Sequence, residues 1–119
     1  MSPTPSATPT KKAAPVPEEQ WSMPITFSPS GALVSLRDFK ESRVPALSLS
    51  QLTPEQRAEL TARRIELQPR FEVAMVGAGT VDKERALAEV RAQSEVGQLL
   101  IEIEQRLISN LIDSAIRKK

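Results

Sequence analysis

The stretch Val81–Lys119, VDKERALAEVRAQSEVGQLLIEIEQRLISNLIDSAIRKK, decides how this chain folds. It reads as one long helix. Thr80 or Asp82 is placed to cap its first turn, after Gly77 and Gly79. Asp82 and Glu84 stand at the positive end of the macrodipole, and Arg117, Lys118 and Lys119 at the negative end. No proline interrupts the span. Opposite charges recur four residues apart at Arg85/Glu89, Arg91/Glu95, Glu102/Arg106 and Asp113/Arg117, each pair worth about 0.2–0.5 kcal/mol. The implied length is roughly 50 Å at ~1.5 Å per residue.

Its apolar residues fall into two seams. One runs through Leu87, Val90, Ile101, Ile108, Leu111 and Ala115, the other through Val96, Leu100, Ile103 and Leu107. The seams lie about a right angle apart, a stripe too wide for a two-stranded coil and suited to burial against two neighbours. Glu104 interrupts the first seam, either as an edge residue whose stem packs while its carboxylate reaches solvent or as a polar device that sets register. Gly97 is either a tolerated weak point or a place where another backbone crosses closely.

Upstream, Leu52-Thr53-Pro54-Glu55-Gln56 is a helix start: Thr53 as N-cap, Pro54 at the first helical position, Gln56 closing a capping box. The helix continues to about Gln68 and stops at Pro69. Arg57, Arg63, Arg64 and Arg70 alternate with Glu55, Glu59, Glu66 and Glu72, which predicts a solvated face of mixed sign. Phe71–Val76 alternates as a strand would, yet its length and the glycines after it also suit a helix ending at Gly77. The helical reading makes residues 54–76 one arm of an αα-hairpin on 81–118. The second arm then outreaches the first, leaving Leu100–Ile116 with least cover.

Residues 21–52 are apolar without a long period. Ile25-Thr26-Phe27 and Ala32–Leu36 flank Ser28-Pro29-Ser30-Gly31, a β-turn composition. A short hairpin follows, then about one helical turn over Leu36–Ser42 and an extended Val44–Leu49. The segment holds the one Trp and two of the three Phe. These aromatics either complete the core or anchor a partner. Residues 1–20 carry five of the ten prolines and read as a disordered tail.

The expected architecture is therefore mainly α: a disordered Pro/Ser/Thr-rich tail (1–20), an extended or β-hairpin docking segment (21–52) and a helical hairpin domain with a long C-terminal helix (53–119). With 119 residues only one small domain fits, and aromatics at 3% make its core aliphatic. There is no Cys and no His, which removes thiolates, disulfides, imidazole bases and the commonest metal ligands. Lys and Arg number 16 against 15 Asp and Glu, without the concentrated basic face of a nucleic-acid binder. No apolar run approaches the ~20 residues of a membrane span, and no secretory apolar region opens the chain, so a cytoplasmic setting is expected.

Val73–Asp82 superficially matches the start of a dinucleotide fingerprint. Asp82 at the third glycine position and the missing second strand argue against it. Glu102 and Glu104, two residues apart, face different sides of a helix and do not form an acid pair. No enzyme activity, metal, cofactor or small-molecule substrate is expected. The function read from the sequence is a non-catalytic structural or adaptor protein that binds a protein partner or oligomerises. Its predicted interaction residues are Trp21, Ile25, Phe27, Leu100, Ile103, Leu107, Ile108 and Leu111. The alternative is a small regulatory or chaperone-like subunit for an enzyme or a secretion substrate.

Overall fold

A computed structural model of the chain describes residues 16–117; the expectation for residues 1–15 lies outside them. In order, the described elements are a 3₁₀ turn (Glu18–Gln20), β1 (Pro24–Phe27), β2 (Leu33–Ser35), α1 (Leu36–Lys40), a second 3₁₀ turn (Leu49–Gln51), α2 (Pro54–Leu67), β3 (Glu72–Met75), β4 (Gly79–Asp82), α3 (Lys83–Ala92) and α4 (Glu95–Arg117). The long C-terminal helix is present. The fold as a whole is mixed, with two small antiparallel sheets beside the helices.

The signals that act within four residues appear as read. Ser28–Gly31 turns the first hairpin, with the Gly31 amide donating to the Ser28 carbonyl at 2.9 Å, and Phe27 pairs with Leu33. Ser35 accepts from the Asp38 amide and starts α1. Thr53 accepts from the Gln56 amide at 3.1 Å while the Gln56 side chain accepts from the Thr53 amide at 3.0 Å. That exchange satisfies two otherwise free amides at the start of α2.

Residues 71–76 are not helix. Glu72–Met75 pairs antiparallel with Gly79–Asp82, Val73 opposite Val81 and Met75 opposite Gly79. The period-2 pattern prevails because Val81 is fully buried while Glu72 and Ala74 face solvent. Gly77, at φ 85°, sits inside the turn closed by the Ala78 amide on the Met75 carbonyl, a conformation that glycine adopts without a Cβ penalty. The expected αα-hairpin is replaced by a β-hairpin between α2 and α3.

Nor is Val81–Lys119 one helix. It bends at Gln93–Ser94. Gln93 is left-handed at φ 52°, and the Ser94 amide reaches the Glu89 carbonyl at 3.2 Å, which terminates α3. The Ser94 hydroxyl restarts the helix by accepting from the Gly97 amide at 3.1 Å, and it donates to the Glu89 carboxylate. That bond, joined by Arg85, holds the Glu89 carboxyl below its usual range. A carboxylate depressed in the fold adds stability above its unfolded pKa and loses it as pH falls through the folded value. Gly97 lies on the last turn of α3: a Cβ there would stand 2.1 Å from the Glu89 carbonyl oxygen. Of its two sequence readings, close crossing is the observed one. The bend also separates Arg91 from Glu95; Arg91 pairs instead with Glu66 at 2.8 Å. Arg85–Glu89 and Glu102–Arg106 form as expected, at 3.5 and 3.4 Å. The Asp113/Arg117 pair involves a side chain outside the described set.

Two apolar clusters make the core. Ile25, Phe27, Leu36, Leu52 and Leu60 close over Ile108, Leu111 and Ala115. Ala58, Ala62 and Ile65 pack with Val81, Ala86, Val90, Leu100 and Ile101. Helix α2 contributes to both. Segment 21–52 thus covers the far half of α4 and belongs to the same core as the helices; it does not stand apart as a docking segment. In the tip expected to have least cover from its own chain, Leu100, Ile108, Leu111 and Ala115 are buried, while Ile103, Leu107 and Ile116 stay exposed.

The greatest departure from the sequence reading is Arg64. Its side chain is wholly buried (0%), not part of a solvated face. Nε donates to Glu104 Oε1 at 2.8 Å, Nη1 to the Pro24 carbonyl at 2.9 Å and Nη2 to Gln20 Oε1 at 2.9 Å. Glu104 is itself only 6% exposed, so it does not reach solvent at an edge. Gln20, expected in the tail, is held by this network.

Two outcomes follow from these contacts. Arg64→Ala leaves Glu104 buried without its counter-charge and is expected to cost ~3–5 kcal/mol, whereas the double variant Arg64→Met/Glu104→Leu costs much less. Equal losses in urea titrations of the two variants would refute the pairing. Gly97→Ala is expected to cost ~1–3 kcal/mol or more through overpacking. Gln93→Gly, which relieves a left-handed side-chain residue, is expected to leave stability unchanged or raise it by about 1 kcal/mol. Thermal melts of both check the bend.

Candidate interaction surface

Helix α4 buries Leu100, Ile101, Glu104, Ile108, Leu111 and Ala115, a face that returns every three or four residues. Along one margin of that face run Leu99, Ile103 and Leu107, which are 46%, 46% and 39% exposed. Successive members are four residues apart, so each is displaced by about 40° from the last and the three form one stripe. Glu102 and Arg106 flank it on the solvent side, with side chains 62% and 73% exposed.

The eight residues predicted from sequence separate into two groups. Ile25, Phe27, Leu100, Ile108 and Leu111 are buried in the core. Trp21 packs half-buried against the first cluster, with the Arg37 guanidinium 5.7 Å from its ring centroid. Ile103 and Leu107 alone of the eight remain on the surface. Leu99 belongs with them and was missed. Its four-residue spacing from Ile103 is visible in the sequence, yet it belongs to neither of the two seams read there.

Beside the stripe lies an open groove of about 920 Å³, bordered by Leu99, Glu102 and Arg106. Its walls include Leu49, Pro54 and Ile101 beside Arg57, Gln98 and Gln105. Arg57 Nε and Gln105 Nε2 are buried without a hydrogen-bond partner. The Gly77-Ala78-Gly79 turn joins two antiparallel strands and does not lead from a strand into a helix. Among the described residues no group of His, Cys, Asp or Glu is placed to hold a metal ion, and no helix is long and apolar enough to cross a membrane. No protein-family model matches this chain, and no curated protein and no solved structure matches it.

The stripe and the buried face differ in what they do for stability. Ile103→Gln, at a side chain already half covered by its own chain, is expected to lower the unfolding free energy by about 1 kcal/mol. Ile108→Ala, at a fully buried site, is expected to cost ~2–5 kcal/mol. Chemical denaturation of the two variants beside the parent measures the contrast.

Proposed function

We propose that this chain is a non-catalytic structural or adaptor protein that binds another protein through the outer stripe of α4. The observation that carries the reading is the stripe itself: three large aliphatic side chains in helical register, each more than a third exposed, along one margin of the helix's core face. Covering a half-exposed aliphatic side chain returns about half of the ~1.5–3 kcal/mol for full burial. Three such residues supply roughly 3 kcal/mol, suited to a reversible contact that also draws on its rim. The docking role moves from residues 21–52 to α4, because Ile25 and Phe27 are already buried within this chain. The non-catalytic part of the proposal is supported by composition. Without Cys or His, the chain lacks the groups that most often activate a nucleophile near neutral pH.

A photoreactive residue placed at position 103 and irradiated in the native host tests the reading. The expected result is a covalent adduct of one defined mass, absent when the same residue replaces exposed Glu84 on α3. Irradiation that yields no adduct at 103, or the same adducts at 84, would refute it.

A further inference from the structure

We infer that the groove beside α4 seats an extended segment of a partner protein, and that Arg57 takes the carboxylate of a single acidic side chain on that segment. The groove adjoins the stripe at Leu99, but the inference stands on Arg57 and needs no contact at Ile103 or Leu107.

Arg57 is a charge without a partner. It lies partly buried on the first turn of α2 and lines the groove. Its Nε is sealed from solvent with nothing to accept its hydrogen bond. The two terminal nitrogens are not sealed, and they open on the groove. Among the other arginines whose side chains are described, six pair with carboxylates, Arg37 lies over the Trp21 ring and Arg70 is exposed to water. The fold thus takes water from one side of the Arg57 guanidinium and returns no acceptor. A carboxylate on the open side offers two parallel acceptors to the fork of donors. Partial burial makes that attraction stronger than at a fully hydrated surface.

The shape and lining of the groove indicate what carries the carboxylate. Glu95 and Ser109 both border it, so it follows α4 for about 20 Å. An extended chain of about six residues spans that distance at ~3.3 Å each; a small carboxylic acid fills only a fraction of it. Leu49, Pro54 and Leu99 offer aliphatic surface along the walls, and Gln98 and Gln105 bring side-chain amides that match the polar groups of a backbone. Glu95 and Glu102 limit the acid to one. Glu102 is paired with Arg106 at 3.4 Å and Glu95 is exposed, and both repel a second carboxylate. Residues 1–15 of this chain carry Lys11 and Lys12 and no acid, and Lys118 and Lys119 are also basic. Neither stretch supplies the missing charge, so the segment belongs to another molecule.

Panning random peptides of about seven residues against the full chain tests the inference. The recovered peptides are expected to share one Asp or Glu flanked by aliphatic residues. The strongest of them is expected to bind Arg57→Gln about tenfold to a hundredfold more weakly than the parent. The same peptide with its acid replaced by the amide is expected to bind parent and variant alike, as a coupled pair requires. Arg57→Lys is expected to recover part of the loss, and Arg57→Gln to melt at the parent's temperature because it removes no contact.

No selected peptide, selected peptides without a shared acid, or equal binding of the acidic peptide by parent and Arg57→Gln would overturn the inference. Saturable binding of free glutarate with no peptide selected would assign the site to a small acid and overturn the partner segment. None of these results bears on the photoadduct at position 103, because Ile103 does not line the groove.

Discussion

The buried guanidinium of Arg64 is the constraint on which the rest of this structure depends. A charge without water is costly unless it is paired and its donors are met. Arg64 meets that requirement by drawing on three other parts of the chain: the Glu104 carboxylate of α4, the Pro24 carbonyl at the start of β1 and the Gln20 amide oxygen just before it. Apolar burial favours compactness without direction. These three bonds have direction, and they place the N-terminal ribbon over the crossing of α2 and α4. The ribbon then delivers Ile25 and Phe27 to the far half of α4.

The second constraint is the close contact at Gly97. The absence of a side chain there lets α4 rest on the carbonyl of Glu89, which turns what would be one rod into two helices folded against each other. Each half of α4 then acquires its own cover. The near half packs with α3, the far half with the ribbon, and α2 joins the two. What the core leaves uncovered follows from this division. The ribbon and α3 take one face, so Leu99, Ile103 and Leu107 stay exposed along its margin, with Ile116 exposed nearer the end of the helix. The surface available for binding is thus a consequence of how the core was completed.

Features legible in the amino-acid sequence share one property: each is decided by residues within about one turn. The capping box of Thr53 and Gln56, the stop at Pro69, the Ser28–Gly31 turn and the short helix after Leu36 depend on side chains that reach their own backbone neighbours. The aliphatic core and its large share of the C-terminal helix were also visible, since composition and 3.6-residue spacing survive any tertiary arrangement. Ile103 and Leu107 lie on the surface of α4; the six residues named with them lie in the core or packed against it.

Tertiary structure alone decided the remainder. Six residues from Phe71 to Val76 satisfy both a period of two and a helical end, and only the burial of Val81 separates them. Gln93 and Ser94 are acceptable within a helix. The left-handed turn there appears because α4 packs onto α3 and Ser94 finds partners across the bend. Arg64 stood in a run of mixed charges that looked solvated. Its burial depends on Glu104, Pro24 and Gln20, each at least 40 positions away in the chain. Local preference determined where helices and turns begin; long-range pairing determined which of their residues face water.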